Sequence, residues 1–142
     1  MNTERSSARV LLVDDDPAQL QLLKSFLVQQ GYEIYTSLDA TEALNLAGQI
    51  HPNIILLDVC LPDMDGYSAC QKLRGLTSAP IIIISIKCGE EDIVQGFKSG
   101  ADDYLGKPVR LLELSERIQT RLRNASALPE INIYFDKSLY ID

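Results

Sequence analysis

The chain has 142 residues, enough for one domain whose core needs no staples, plus a short extra segment. Hydrophobic residues make up 46% and charged residues 23%, which is ordinary for a soluble globular protein and too apolar for a disordered one. The formal charge of -7 gives these residues no electrostatic basis for holding nucleic acid, and no apolar run approaches the roughly 18 residues of a membrane span.

In chain order, Val10 to Val13 reads as a short buried strand that ends abruptly at Asp14, Asp15 and Asp16. Asp16 caps a helix with Pro17 at its first position, and Leu20, Leu23, Phe26 and Leu27 keep helical spacing until Gly31. A strand over Tyr32 to Thr36 leads through Ser37 to Ala40 into a helix carrying Ala43, Leu44 and Ala47, closed at His51-Pro52. Ile54 to Leu57 is a second fully apolar strand, and it too ends in an aspartate, Asp58. A loop from Leu61 to Gly66 opens a helix through Cys70 and Leu73, with Asp63 and Asp65 assigned to loop and cap chemistry. The strand Ile81 to Ile84 ends at Ser85, and a helix spans about Glu90 to Lys98. A short fifth strand lies near Asp103 to Leu105, Lys107-Pro108 terminates it, and Leu111, Leu112, Leu114, Ile118 and Leu122 mark a last helix to about Arg123.

Five apolar strands alternating with five helices predict an α/β fold: a doubly wound, five-stranded parallel sheet with helices on both faces. Ligands of such sheets bind beyond the carboxyl ends of the strands. Asp14, Asp15, Asp58, Ser85 and Lys107 all belong to that edge. Three carboxylates brought together repel, by about 4 kcal/mol for a pair at 4 Å and an effective dielectric of 20. A hard divalent cation compensates, and Mg2+ suits a site with few carboxylates because it keeps waters and takes phosphate oxygens. Asp15 and Asp58 are the expected direct ligands, with Asp14 partly through water and the backbone carbonyl of Cys60 supplying a further oxygen. Asp58 is the candidate nucleophile toward phosphorus, with the Lys107 ammonium and the Ser85 hydroxyl for the phosphoryl oxygens. Cys60, Cys70 and Cys88 form no CxxC pair, so neither a disulfide framework nor a zinc site is indicated. The start MNTERSSARV lacks an apolar signal core, which predicts a cytoplasmic chain with no membrane partner.

The segments VLLVDDDP, IILLDVCLPDMDGY, PIIIIS and GADDYLGKP resemble, in order and spacing, the signature segments of response-regulator receiver domains. The resemblance covers about residues 8–124. It implies a flavodoxin-like (βα)5 fold, phosphotransfer from the phosphohistidine of a sensor histidine kinase to Asp58, dependence on Mg2+, and a cis peptide before Pro108. It also implies a switch in which the Ser85 hydroxyl moves toward the phosphoryl group and Tyr104 turns inward. GADDYLGKPVRLLELSERI resembles the OmpR/PhoB subgroup of winged-helix DNA-binding regulators. That likeness implies a homodimer through the fourth helix, fifth strand and fifth helix, with Asp103, Glu113 and Arg117 at the pairing positions. Beyond its own phosphorylation and dephosphorylation, no enzymatic activity is expected.

Several positions depart from that pattern. Ile86 follows the switch hydroxyl where a small residue is usual, predicting that it crowds Ser85. Ile93 stands where a basic residue would face Glu113, so that ion pair cannot form. Cys60 and Lys87 occupy the two positions that tune water's access to the acyl phosphate, and neither orients water as a carboxylate or amide would, so a long-lived phosphoaspartate is expected. Residues 125–142 read as a linker, SALPE, followed by two β-prone runs, INIYF and SLYID, around a turn. They resemble the start of a winged-helix effector domain that continues past Asp142, through which alone DNA would be met. The alternative is a stand-alone receiver acting in a phosphorelay or by protein binding. A phosphatase would carry a second acid at Cys60, and a flavin module would not place acids where a phosphate needs amides.

Overall fold

A computed structural model of the chain describes residues 8–135, with side-chain surroundings described as far as residue 125. Strands and helices alternate as β1 (Arg9–Val13), α1 (Pro17–Gln29), β2 (Glu33–Ser37), α2 (Ala40–Ile50), β3 (Ile54–Leu57), α3 (Gly66–Leu76), β4 (Ile81–Ser85), α4 (Glu90–Lys98), β5 (Asp103–Gly106) and α5 (Leu111–Phe135). All strand pairings are parallel, in the order β2-β1-β3-β4-β5. The chain therefore reverses its direction of winding between β1 and β3, and the crevice beyond their carboxyl ends is where such a sheet takes ligands.

Period-2 alternation along the strands sorts the core into two layers. Leu11, Val13, Ile55, Leu57, Ile81 and Ile83 face Ala43 and Ala47 of α2 and Tyr67, Cys70 and Leu73 of α3. Val10, Leu12, Ile54, Leu56, Ile82 and Ile84 face Leu20, Leu23 and Leu27 of α1 and Leu114 and Ile118 of α5. Each fully buried side chain of this kind contributes about 1.5–3 kcal/mol over an exposed one, so these layers carry the stability and leave the polar edge free for chemistry. The predicted cap of α1 is present: Asp16 accepts from the Ala18 amide at 3.0 Å, with Pro17 at the first position.

The end of α5 differs from expectation. The sequence predicts a stop near Arg123, a linker and a β-prone run, yet α5 continues to Phe135, over SALPE and INIYF. Between Asn124 and Leu128 the chain has no glycine and two alanines, the strongest helix former, and α5 then runs on through Pro129, which has no backbone N–H to donate. The second run lies outside the described residues. No helix among the described residues is long and apolar enough to cross a membrane.

Candidate functional site

Strand register builds the site. Val13 pairs with Leu57 across β1 and β3, so the next residues, Asp14 and Asp58, emerge side by side. Their backbones continue the ladder briefly: the Asp14 amide donates to the Ser37 carbonyl at 3.1 Å and the Asp58 amide to the Val13 carbonyl at 2.9 Å. Ser85 pairs with Gly106 across β4 and β5, and the Lys107 amide donates to the Ser85 carbonyl at 2.9 Å, which aims Lys107 back at the aspartates. The peptide between Lys107 and Pro108 is cis.

Asp14 and Asp58 are each only 5% exposed, and the Lys107 Nζ bridges them, donating to Asp58 Oδ2 at 2.8 Å and to Asp14 Oδ2 at 2.9 Å. The other carboxylate oxygens are held by backbone: the Asp16 amide donates to Asp14 Oδ1 at 3.0 Å and the Cys60 amide to Asp58 Oδ1 at 2.9 Å. Partial burial pulls the Lys107 pKa down, but hydrogen bonds to Asp58 and Asp14 outweigh it and hold the ammonium above the ordinary lysine value. Asp15 is exposed, and one carboxylate oxygen from each of Asp14, Asp15 and Asp58 lies within 4.8 Å of the others. One lysine does not neutralise three acids at this spacing, and an all-oxygen donor set beside open solvent fits a hard divalent cation.

Ser85 is fully buried, and its oxygen accepts from the Lys87 amide at 3.0 Å. Cys60 lines an open groove with Asp15, Met64 and Lys87, next to the carboxylates. The crowding predicted at Ile86 does not occur: Ile86 is 71% exposed, because the chain leaves β4 there and the side chain turns to solvent. Asp65 caps α3 through the Tyr67 amide at 3.4 Å, as its assignment to cap chemistry implied. Asp63 caps too, but across the chain: its carboxylate accepts from the Ala40 and Thr41 amides, each at 2.9 Å, and from the Thr41 hydroxyl at 2.7 Å. It thereby ties the loop after Asp58 to the start of α2.

Around Tyr104 the structure adds two residues that sequence reasoning missed. The Tyr104 hydroxyl donates to the Lys87 carbonyl and lies 3.1 Å from the Tyr67 hydroxyl. Its ring packs against Gly96 of α4, where a Cβ would come within 2.7 Å of it. Burial pushes the Tyr104 phenol well above the ordinary tyrosine range, with the Ser85 hydroxyl near enough to pull the other way. Tyr67 sits one turn before Cys70 on the apolar face of α3, a signal for burial but not for a hydroxyl contact.

Asp103, Glu113 and Arg117 come together within the chain. Arg117 donates to Asp103 at 2.6 Å and to Glu113 at 3.2 Å, and Arg121 approaches Asp103 at 3.5 Å. Glu113 thus has a basic partner on its own helix although Ile93 supplies none from α4.

The response regulator receiver domain model matches residues 10–119. The DNA-binding dual master transcriptional regulator RpaA of Synechocystis is 37% identical over 125 residues, covering 86% of this chain and 52% of that protein. The DNA-binding response regulator MtrA of Mycolicibacterium smegmatis is 38% identical over 123 residues, covering 87% and 53%. The chain thus spans about half the length of these relatives. Among solved structures, a CheY-like receiver domain protein of Methanospirillum hungatei superposes with a TM-score of 0.80 at 34% identity, covering 83% of this chain and 95% of that one. The BeF3-activated receiver domain of Klebsiella pneumoniae RstA gives 0.78 at 26% identity, covering 81% and 98%.

Proposed function

The chain belongs to the response regulator receiver domain family, and from that premise we propose that it accepts a phosphoryl group from a sensor histidine kinase on Asp58. The observation that carries this reading is the Lys107 ammonium bridging buried Asp58 and Asp14 beside exposed Asp15. In the transfer, a carboxylate oxygen of Asp58 bonds to phosphorus as the phosphorus–nitrogen bond of the donor phosphohistidine breaks, leaving an acyl phosphate. Lys107 stands ready to neutralise one phosphoryl oxygen, Ser85 supplies a hydroxyl for another, and the Cys60 amide fixes the carboxylate. Mg2+, held by Asp15, Asp58 and the Cys60 carbonyl with Asp14 through water, would supply the remaining positive charge. The protein acts as a phosphoacceptor rather than as an enzyme on other substrates, and it works in the cytoplasm.

The output follows from the same edge of the sheet. Phosphorylation draws Ser85 toward the phosphoryl group, Tyr104 occupies the inward position, and the α4-β5-α5 surface changes. That surface supports a homodimer in which Asp103, Glu113 and Arg117 exchange partners between copies. The naming of RpaA and MtrA as DNA-binding supports control of a transcriptional effector outside residues 8–124. Cys60 and Lys87 leave attacking water unoriented, so the phosphoaspartate lasts minutes or longer; a lifetime of seconds would overturn that part.

The decisive experiment is intact mass after incubation with acetyl phosphate and Mg2+. A phosphate-sized gain that requires both Mg2+ and Asp58, and is absent in Asp58→Asn, is the expected result. No gain with any donor would leave a receiver that signals by binding alone.

A further inference from the structure

Tyr104 is the one switch residue whose surroundings include a second buried phenol, and the proton inventory there fixes who donates. A phenol has one proton, and a carbonyl only accepts, so Tyr104 spends its proton on the Lys87 carbonyl. The 3.1 Å contact between the two hydroxyls is then a bond that Tyr67 donates and Tyr104 accepts. Tyr67 is rigidly placed: it is 7% exposed, belongs to the inner layer beneath α2 and α3, and follows Gly66, whose Cα sits so close to Val59 that a Cβ would lie 2.0 Å from the Val59 Cα. Beside the Tyr104 ring, Gly96 leaves the space that any larger residue of α4 would fill.

We propose that Tyr67 is a positioning residue for the switch, a latch whose hydroxyl, together with the space at Gly96, holds Tyr104 turned inward against the Lys87 carbonyl independently of Asp58. None of these three contacts involves Asp14, Asp58 or Lys107, so the pose has support besides the nearby Ser85 hydroxyl, and phosphorylation, acting through Ser85, adds to a bias already present. The inference rests on the switch reading above, because it assigns regulation to that same tyrosine.

The test is NMR of the full chain labelled with 13Cζ-tyrosine, with the Tyr104 resonance assigned through Tyr104→Phe. Tyr67→Phe keeps the ring and its packing and removes one hydrogen bond, which should lower the inward-to-outward ratio about fivefold. The Tyr104 resonance should move toward that of a solvent-exposed tyrosine and return on adding beryllofluoride with Mg2+. Gly96→Ala should move it the same way, since the Cβ meets a ring that can swing out rather than backbone. Amide spectra report whether each variant folds. A Tyr104 resonance unmoved in folded Tyr67→Phe, or one that moves as far in Asp58→Asn as in Tyr67→Phe, would overturn the latch. If beryllofluoride leaves every wild-type resonance unmoved, the phosphoacceptor reading fails, whereas the latch is judged on Tyr67→Phe alone.

Discussion

Lys107 and Arg117 each join two carboxylates, and both are anchored near β5, but they do so in opposite surroundings. The Lys107 side chain is 18% exposed and its partners Asp14 and Asp58 are 7% and 6% exposed at the side chain. Arg117 is 41% exposed and its outer partner Glu113 is 45% exposed, with only Asp103 buried. The first bridge is set by strand register and backbone amides, so its geometry has no alternative. The outer arm of the second, Arg117 with Glu113, is held by solvated side chains that lose little on exchanging partners, as the proposed homodimer surface would require. Buried charge fixes geometry here, and exposed charge leaves its pairing free to change.

The largest expected effect breaks the buried bridge. Lys107→Ala removes the only cation hydrogen-bonded to Asp58 among the described residues, and loss of one such charge-stabilising donor lowers rates by about 100- to 1000-fold. Phosphate uptake from acetyl phosphate, followed by intact mass, should slow by that factor. Uptake within tenfold of wild type would mean that the ammonium is not part of the transfer.

A smaller effect sharpens the other half of the comparison. Glu113→Ala should cost about 1 kcal/mol or less in urea unfolding, because its pair with Arg117 is exposed on both sides, gains little over water and is screened by salt. The residual difference from wild type should shrink further in 1 M NaCl, where the screening length is about 3 Å. A loss of several kcal/mol, insensitive to salt, would place the pair of Arg117 with Glu113 in the fixed class with Lys107 and argue against a surface free to exchange partners.

The edge that carries the buried bridge is legible in the sequence, while the bridge itself and much of the surface are not, for one physical reason. Continuous apolar strands announce themselves, and the residue after each strand falls at a known edge of the sheet, so Asp14, Asp58, Ser85 and Lys107 were placed by pattern alone. A side chain that leaves the sheet obeys no such period. Ile86 was expected to press on Ser85 and instead points to solvent, because the turn after β4 sets its direction. Tyr67 draws no reading from the sequence, since its ring packs in the core like any apolar position of a helix and only its hydroxyl reaches Tyr104. The reading of α5 stops short because SALPE holds a proline, which costs about 3 kcal/mol inside a helix, and INIYF is β-prone, whereas the helix runs through both.

The smallest expected effect concerns Asp63, an exposed acid that behaves unlike the exposed Arg117. Its three donors belong to the start of α2, two of them backbone amides whose positions the helix fixes. The hydrogen bond from the Thr41 hydroxyl, then those from the Ala40 and Thr41 amides, lower its pKa from 3.8 to about 2. The folded state therefore binds this proton less tightly than the unfolded chain does. The resulting stability is present above the ordinary value of 3.8 and is lost as pH falls from there through about 2. Asp63→Asn should thus unfold at lower urea than wild type at pH 7, with the gap narrowing across that window. A gap that stays constant down to pH 2 would mean that shape and not charge holds the loop against α2. Exposure alone would then not separate exchangeable ion pairs from fixed ones, and the contrast between Arg117 and Lys107 would rest on backbone anchoring.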